Sequence, residues 1–517
     1  MLCYNIFSNL KQNLLAHHAF EGKEERREQM KKMAATSLIA FMLAVPAFAV
    51  FCPPVSGDNT QNLRACIAQA AATDNLVILA DFCDVDSSGH FVDLPGAYPI
   101  SDQIIVPSSV KILGSGTYWG ATINVNFGQG LSNTDSSHAA FVLKDNAAID
   151  GVTFFYPAQT KGIQLIEFPP TISVQGSFCR VLNSFFPNSY VGIDATVPHG
   201  KLNMENLEFG MYYRAIRDDQ CYDVDKFVTI HANPGMWATW KDDSNVIGWM
   251  MNNSATLEVS RIDWLYVEQL FAFGTKYGIL MTAKNNGSVG EAQIIQAGCD
   301  ACRYGIYSNI QNVSSYPWLI TISNWSGTAF DPVSGKGSGT SIYLANVNGV
   351  NISNSNFWGI RDDGVYLENC TGVILTGNNF QTDNWNQSKN GSSAFHLVKC
   401  KRVTAMANTG ASTNGGAAFT INGGDDMSFV ANQFNVQGPS ITLNGATNVK
   451  TSVNSGCVQD SWNDQSNRID YPCSVDYFNT PIPTPTPTVT PTNPTVTPTP
   501  TPAILPTRIP KTGPANP

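Results

Sequence analysis

The sequence predicts an all-β fold: a right-handed, single-stranded parallel β-helix with an N-terminal capping helix. Three observations predict it. Between Val350 and Gly456 a short unit recurs, with strands opening at Val350, Val373, Val403, Met427 and Val449 at spacings of 23, 30, 24 and 22 residues. Within each unit, apolar and polar residues alternate with period two, in runs of about four or five residues broken by Gly, Asn and Ser. Five residues after each of the last four anchors stands an asparagine: Asn378, Asn408, Asn432 and Asn454, with Ser355 at the first anchor.

A repeat of this length stacks, because no single unit can bury its own apolar face. The runs are too short for paired helices. Coiling them once per unit puts each rung about 4.8 Å above the last. An apolar pulse precedes each anchor, at Tyr343-Leu344, Tyr366-Leu367, His396-Leu397, Thr420-Ile421 and Thr442-Leu443. It supplies a further strand per rung. The in-register asparagines are then expected to stack in one turn, each amide bonding backbone and the asparagine of the next rung. Asn carries both donor and acceptor and tolerates left-handed dihedrals.

Taken in chain order, residues 1–49 read as a secretory signal. Met30-Lys31-Lys32 is a basic start, Ala34 to Phe48 an apolar run, and Ala47-Phe48-Ala49 a small-x-small cleavage site. The run is too short to span a membrane stably. The preceding Gly22-Lys23-Glu24-Glu25-Arg26-Arg27-Glu28 is what purine-rich codons encode, which points to Met30 as the true start. Residues 50–479 form the β-helix domain. It opens with a helix after Asp58-Asn59-Thr60, capped by Asp58 or Asn59, whose face of Leu63, Ile67, Ala70 and Ala71 covers the open end of the stack. Strand-like phrases follow at Val77-Ile78-Leu79, Tyr98 to Gly114, Asp150 to Phe155, Arg180 to Phe186 and Leu202 to Phe209. Gly192-Ile193, Gly278-Ile279, Gly305-Ile306 and Gly364-Val365 read as glycine turns opening strands. Periodicity is loosest from Arg217 to Phe273, where loops are expected to project. Residues 480–517 are a Pro/Thr-rich spacer. Its Ile509-Pro510-Lys511-Thr512-Gly513 is similar to the Leu-Pro-x-Thr-Gly sorting signal of cell-wall-anchored bacterial proteins, although no apolar segment and basic tail follow it.

Without residues 1–49 the chain carries 24 Lys/Arg against 36 Asp/Glu, a net charge near −12. That makes nucleic acid and anionic membranes poor partners. Neutral polysaccharides fit, as do anionic ones bridged by Ca2+; no cofactor follows from the residues themselves. The mature chain keeps eleven cysteines. Export permits disulfides. Cys299-x-x-Cys302 is expected to close locally, Cys457 and Cys473 to staple the C-terminal end, and Cys370 and Cys400 to stack in successive rungs. No zinc set is evident around Cys299 and Cys302.

Asp58-Asn59-Thr60 with its helix, followed by the Tyr98–Gly114 phrase, resembles the N-terminal signature of the pectate-lyase-like β-helix superfamily, over roughly residues 55–455. The resemblance implies a secreted, polysaccharide-active protein, since the superfamily includes lyases, glycoside hydrolases and phage tailspike enzymes. Polygalacturonase-like members carry a paired Asp, a Gly-His-Gly and an Arg-Ile-Lys on successive rungs. This chain has the paired Asp at Asp218-Asp219 and Asp362-Asp363 but neither of the other two motifs.

The irregular middle holds the candidate site. Asp218, Asp219, Asp223, Asp225, Asp263, His231 and Arg261 are the candidate catalytic groups. Trp237, Trp240, Trp264, Tyr266 and Glu268 are the candidate substrate-binding groups, with Trp249, Phe271 and Phe273 beside them. Aromatic faces stack on sugar rings, and carboxylates bind hydroxyls or move protons. On a regular strand Asp223 and Asp225 share a face about 6.5–7 Å apart, near the lower limit for inverting glycosidases. A lyase needs a base instead, for which Arg261 and His231 are the candidates. Aromatics that only pack loops, and aspartates that only close turns, are the plain alternatives. Two functional readings stand: an extracellular glycoside hydrolase or lyase acting in a lateral groove, and a non-catalytic surface solenoid that binds glycans or mediates adhesion.

Overall fold

The computed structural model describes residues 49–80, 98–114, 120–159, 164–237, 244–284, 287–311, 317–329, 339–360, 362–381, 393–412, 417–436, 440–452, 454 and 458–460. They form a parallel β-helix. Among the described residues, one sheet has 26 strands and a second has 14, and the strand pairings within them are parallel. The expected anchors are register partners: Val350 with Val373, Val373 with Val403, Val403 with Met427, and Met427 with Val449. The apolar pulses form the 14-stranded sheet, where Leu344, Leu367, Leu397, Ile421 and Leu443 stack in the interior. Each later rung therefore contributes one strand to the smaller sheet and two to the larger.

The asparagine ladder joins those two strands. Asn378 Nδ2 donates to Asn408 Oδ1 at 2.9 Å, Asn408 to Asn432 at 2.9 Å, and Asn432 to Asn454 at 3.0 Å. Each amide also donates to a backbone carbonyl of the preceding rung: Ile352, Leu375, Ala405 and Phe429, all at 2.9 Å. Ser355 continues the column, its N–H donating to Asn378 Oδ1 at 3.1 Å. One expectation needs correction. The left-handed residue of this turn is the one before the ladder position, namely Asn354, Gly377, Ala407 and Ala431. The ladder amide satisfies the turn's buried groups, while its neighbour makes the bend.

The strand-opening glycines also have a different cause. Gly192, Gly305 and Gly364 lie where a Cβ would meet Phe209, Trp325 and Phe380 at 2.6, 2.4 and 2.3 Å. Their job is to let the strand approach a buried ring. Those rings stack down the interior, with centroids 5.2 Å apart for Phe154 and Phe186, 4.8 Å for Phe186 and Phe209, and 4.5 Å for Phe357 and Phe380. Such stacking adds to area burial.

Helix α1 (Thr60–Ala71) packs on the first rungs through Leu63, Ile67 and Ala70, whereas Ala71 faces solvent. Asp58 Oδ1 accepts from Thr60 N–H at 3.1 Å; Asn59 instead ties the preceding turn through Val55 and Gly57. A Cys52–Cys66 disulfide, which sequence reasoning missed, fastens α1 to the first strand, and Cys299–Cys302 closes locally as expected. Cys370 and Cys400 are buried free thiols. Cys457, Cys473, the signal segment and the Pro/Thr tail lie outside the described residues. Among the described residues no helix is long and apolar enough to cross a membrane. In the loosely periodic middle, helix α2 (Ser244–Asn253) is inserted between strands Cys221–Ala232 and Ala255–Val259.

Candidate functional site

Three consecutive strands of the 14-stranded sheet read Val-Gly-Ile-Asp-Ala, Arg-Ala-Ile-Arg-Asp and Ala-Thr-Leu-Glu-Val. Their isoleucines and leucine point inward, so the next residue points out. Asp194, Arg217 and Glu258 are thereby register partners on the outer face. The column continues through Leu280, Tyr307, Tyr343, Tyr366 and His396.

The charged part is tightly bonded. Arg217 Nε donates to Asp194 Oδ1 at 2.8 Å, and its other nitrogens donate to Asn133 Oδ1 at 2.9 Å and Asn133 O at 2.6 Å. Glu167 Oε1 accepts from Asn133 N–H at 2.8 Å and from its side-chain amide at 2.6 Å. Glu258 receives Arg214 Nε on one oxygen and Lys284 Nζ, at 2.9 Å, on the other. Arg214 lies 3.9 Å from the Tyr213 ring centre and donates to Asn253 O, the last residue of α2, at 2.7 Å. Tyr190, Tyr213 and Trp249 form an aromatic wall beside it, with Tyr190 and Tyr213 centroids 5.2 Å apart.

The two carboxyl groups have opposite electrostatics. Asp194 is 4% exposed, and burial outweighs Arg217 to raise its pKa. Glu258 is 8% exposed, yet Arg214 and Lys284 overcome the burial penalty and hold it down at about 2. Pairs of carboxyl groups pushed apart in this way suit separate acid and base roles. Twice the strand spacing puts their backbones about 9–10 Å apart.

Farther along, rings pile on the same outer face. Tyr307 and Tyr343 are 4.8 Å apart, Tyr343 and Tyr366 4.8 Å, and Tyr366 and His396 4.9 Å. His396 closes the series by bonding Asp363 Oδ2 at 3.0 Å. Asp363 also accepts Ser393 N–H at 2.8 Å, so this member of the second Asp-Asp pair closes a turn.

The residues singled out from sequence are dispersed. Asp218 and Asp225 point into the solenoid interior, 1% and 0% exposed, where a polymer does not reach. Asp223 does not share their face: an irregularity between Cys221 and Val224 breaks the alternation, and Asp223 turns out to Lys201 at 3.2 Å. The equal-face expectation for Asp223 and Asp225 therefore fails. Asp219 is buried, accepting Arg261 N–H at 3.1 Å. Arg261 sits 4.7 Å over the Tyr222 ring, and Asp263 is exposed. His231 is partly buried beside Phe271, and burial lowers its pKa. Trp264, Tyr266 and Glu268 do come together on the outer face of the 26-stranded sheet, the first two rings 6.0 Å apart. Trp237 packs against the core, and Trp240 lies outside the described residues.

Fold and site thus define a parallel β-helix protein with a charged and aromatic column on its one-strand-per-rung face. No family model and no curated protein matches the sequence. Solved structures do share the fold. The pre-mature bacteriophage phi29 gene product 12 aligns at TM-score 0.54 and 14% identity, covering 80% of this chain and 54% of that one. Its N-terminal fragment aligns at TM-score 0.54 and 12% identity, covering 80% and 71%. The tailspike protein of E. coli bacteriophage HK620, solved with a pentasaccharide, aligns at TM-score 0.47 and 12% identity, covering 80% and 75%. This chain spans about half the length of the first of these.

Proposed function

We propose that this protein is secreted and acts on an extended polysaccharide lying along the outer face of the 14-stranded sheet, and that the reaction is glycoside hydrolysis. The observation that carries the reading is the single outward column from Asp194 through Arg217 and Glu258 to the tyrosines. Asp194, held toward its protonated form by burial, is the proton donor to the leaving oxygen. Glu258, held ionised, orients or deprotonates the attacking water. They stand two strand steps apart with Arg217 between them, near the upper limit of the carboxyl separations that inverting enzymes use. Tyr307, Tyr343 and Tyr366 offer ring faces to sugars farther along. Residues 1–49 direct export, and the Pro/Thr tail spaces the domain from whatever anchors it.

Binding without catalysis is the second reading. It is favoured by the complete set of cationic partners that Asp194 and Glu258 already hold. Product release from plant, algal and bacterial polysaccharides decides between them, read as reducing ends together with absorbance near 235 nm, with and without Ca2+. Reducing ends alone, lost in Asp194→Asn and Glu258→Gln, support the hydrolase. Both signals together indicate a lyase and move attention to Arg261 and His231. Silence across the panel from folded protein that still retains a glycan supports binding alone.

A further inference from the structure

On the inner side of the same strands, four side chains converge where neighbouring rungs are apolar. Asp225 stands between Leu202 and Leu265, and Asp218 between Ala195 and Val259. His199 and Cys221 are bridge partners on adjacent rungs, and all four residues are buried. His199 Nε2 lies 3.0 Å from Asp218 Oδ1 and 3.0 Å from Asp225 Oδ2. The ligating atoms of His199, Cys221 and Asp225 lie within 4.8 Å of one another.

Two details set this cluster apart from an ordinary buried ion pair. His199 Nδ1 donates to Val197 O at 2.6 Å, which fixes the ring and aims Nε2 at the carboxylates. That is the backbone contact typical of a metal-bound histidine. Second, Asp218 Oδ1 faces Nε2 at 3.0 Å, Asp225 Oδ2 faces the same nitrogen at 3.0 Å, and Asp218 Oδ2 accepts no hydrogen bond. An unsatisfied carboxylate oxygen in an apolar interior is costly, and here its carboxylate is aimed into the cluster.

We propose that His199, Asp218, Cys221 and Asp225 form a buried structural site for one divalent transition-metal ion of the zinc class. One imidazole, one thiolate and two carboxylates are a borderline-soft, four-donor set, which fits zinc better than calcium or magnesium. Metal–ligand bonds of about 2.0–2.3 Å put tetrahedral donors about 3.3–3.8 Å apart. The separations of 3.0 Å from His199 to each carboxylate, and of no more than 4.8 Å among His199, Cys221 and Asp225, lie around that range. Two carboxylates and a thiolate leave the filled site at −1, the charge of the common Cys3His structural site. Filling requires a neutral imidazole and ionised acid groups, so any protons they hold leave to solvent. The ion would pin the irregular start of strand Cys221–Ala232 to the 197–202 turn.

The test uses the full secreted chain. Protein purified without a metal-affinity step is assayed for metal content, then unfolded with chelator and refolded with Co2+ or Zn2+. The proposal expects one ion per chain, a near-ultraviolet thiolate-to-cobalt band with tetrahedral visible bands, and a melting temperature raised by Zn2+. Cys221→Ser removes the charge-transfer band, and Asp225→Asn weakens binding at least about tenfold. His231→Ala, outside the cluster, leaves both unchanged. Wild-type protein that carries no ion, shows no cobalt band and melts identically with zinc or chelator overturns the proposal without recourse to any variant. A band that survives Cys221→Ser also overturns it.

Discussion

Replacing Asn432 by alanine tests the ladder most directly. The side chain makes four hydrogen bonds. Nδ2 donates to Ala405 O at 2.9 Å and Asn454 Oδ1 at 3.0 Å, and Oδ1 accepts Asn408 N–H at 3.1 Å and Asn408 Nδ2 at 2.9 Å. Alanine removes all four and leaves a buried carbonyl, a buried N–H and half of a buried amide without partners. Each net bond is worth about 0.5–1.5 kcal/mol, and each orphaned group costs somewhat more. Water entering the vacated turn recovers part of the loss. The expected destabilisation is about 2–4 kcal/mol. Asn356→Ala, whose exposed side chain makes a 3.3 Å bond with Asn379, is the matched control and should cost under about 0.5 kcal/mol. Urea unfolding followed by hydrogen exchange at residues 405–432 measures both, since a stacked-rung protein can open locally before it unfolds globally. An Asn432→Ala protein as stable as the Asn356→Ala control would refute the reasoning.

The remaining expectations concern charge, the cap and the ring column. Glu258 sits at about 2 against an ordinary 4.5, so the unfolded chain takes up the proton first. Its stabilisation, about 3 kcal/mol, is complete above about pH 4.5 and lost as pH falls through 2; acid titration of Glu258→Gln should lack that limb. Cys66→Ser opens a disulfide between residues 14 apart and should destabilise the first rungs by about 2–3 kcal/mol, read as faster exchange in residues 50–80 with the ladder region unchanged. Tyr343→Ala removes the ring 4.8 Å from both Tyr307 and Tyr366 and should reduce glycan retention in affinity electrophoresis about fivefold to tenfold; unchanged retention would take the ring column out of the binding surface.

The ladder and the anchors were legible because their spacing is regular and their chemistry is repetitive. Asn378, Asn408, Asn432 and Asn454 occupy the same place in units with few insertions. The candidate site was less legible for two physical reasons. Alternation assigns faces only along an unbroken strand, and the irregularity after Cys221 sends Asp223 out and Asp225 in. The outer column is also assembled from residues far apart in the chain, so Asp194, Arg214, Glu258 and Lys284 were not grouped. A signal for them did exist. A single charge next to the central apolar residue of three successive strands is an expensive placement that packing alone does not require. Trp264, Tyr266 and Glu268 needed only period two within one strand, and they do share a face.

Between Asp194 and Arg217 the chain runs 23 residues, between Arg217 and Glu258 41, and between Glu258 and Leu280 22, yet all are neighbours in register. Helix α2 sits wholly inside the longest of these excursions. The sheet therefore works like a rack whose shelf spacing is independent of what hangs from each shelf. The segment between residues 233 and 254 can vary in length without altering the register of the column, provided it keeps the buried Val246, Ile247 and Met250 and the Asn253 carbonyl that holds Arg214. Change of ligand preference in such a chain can proceed by trading walls while the floor stays still.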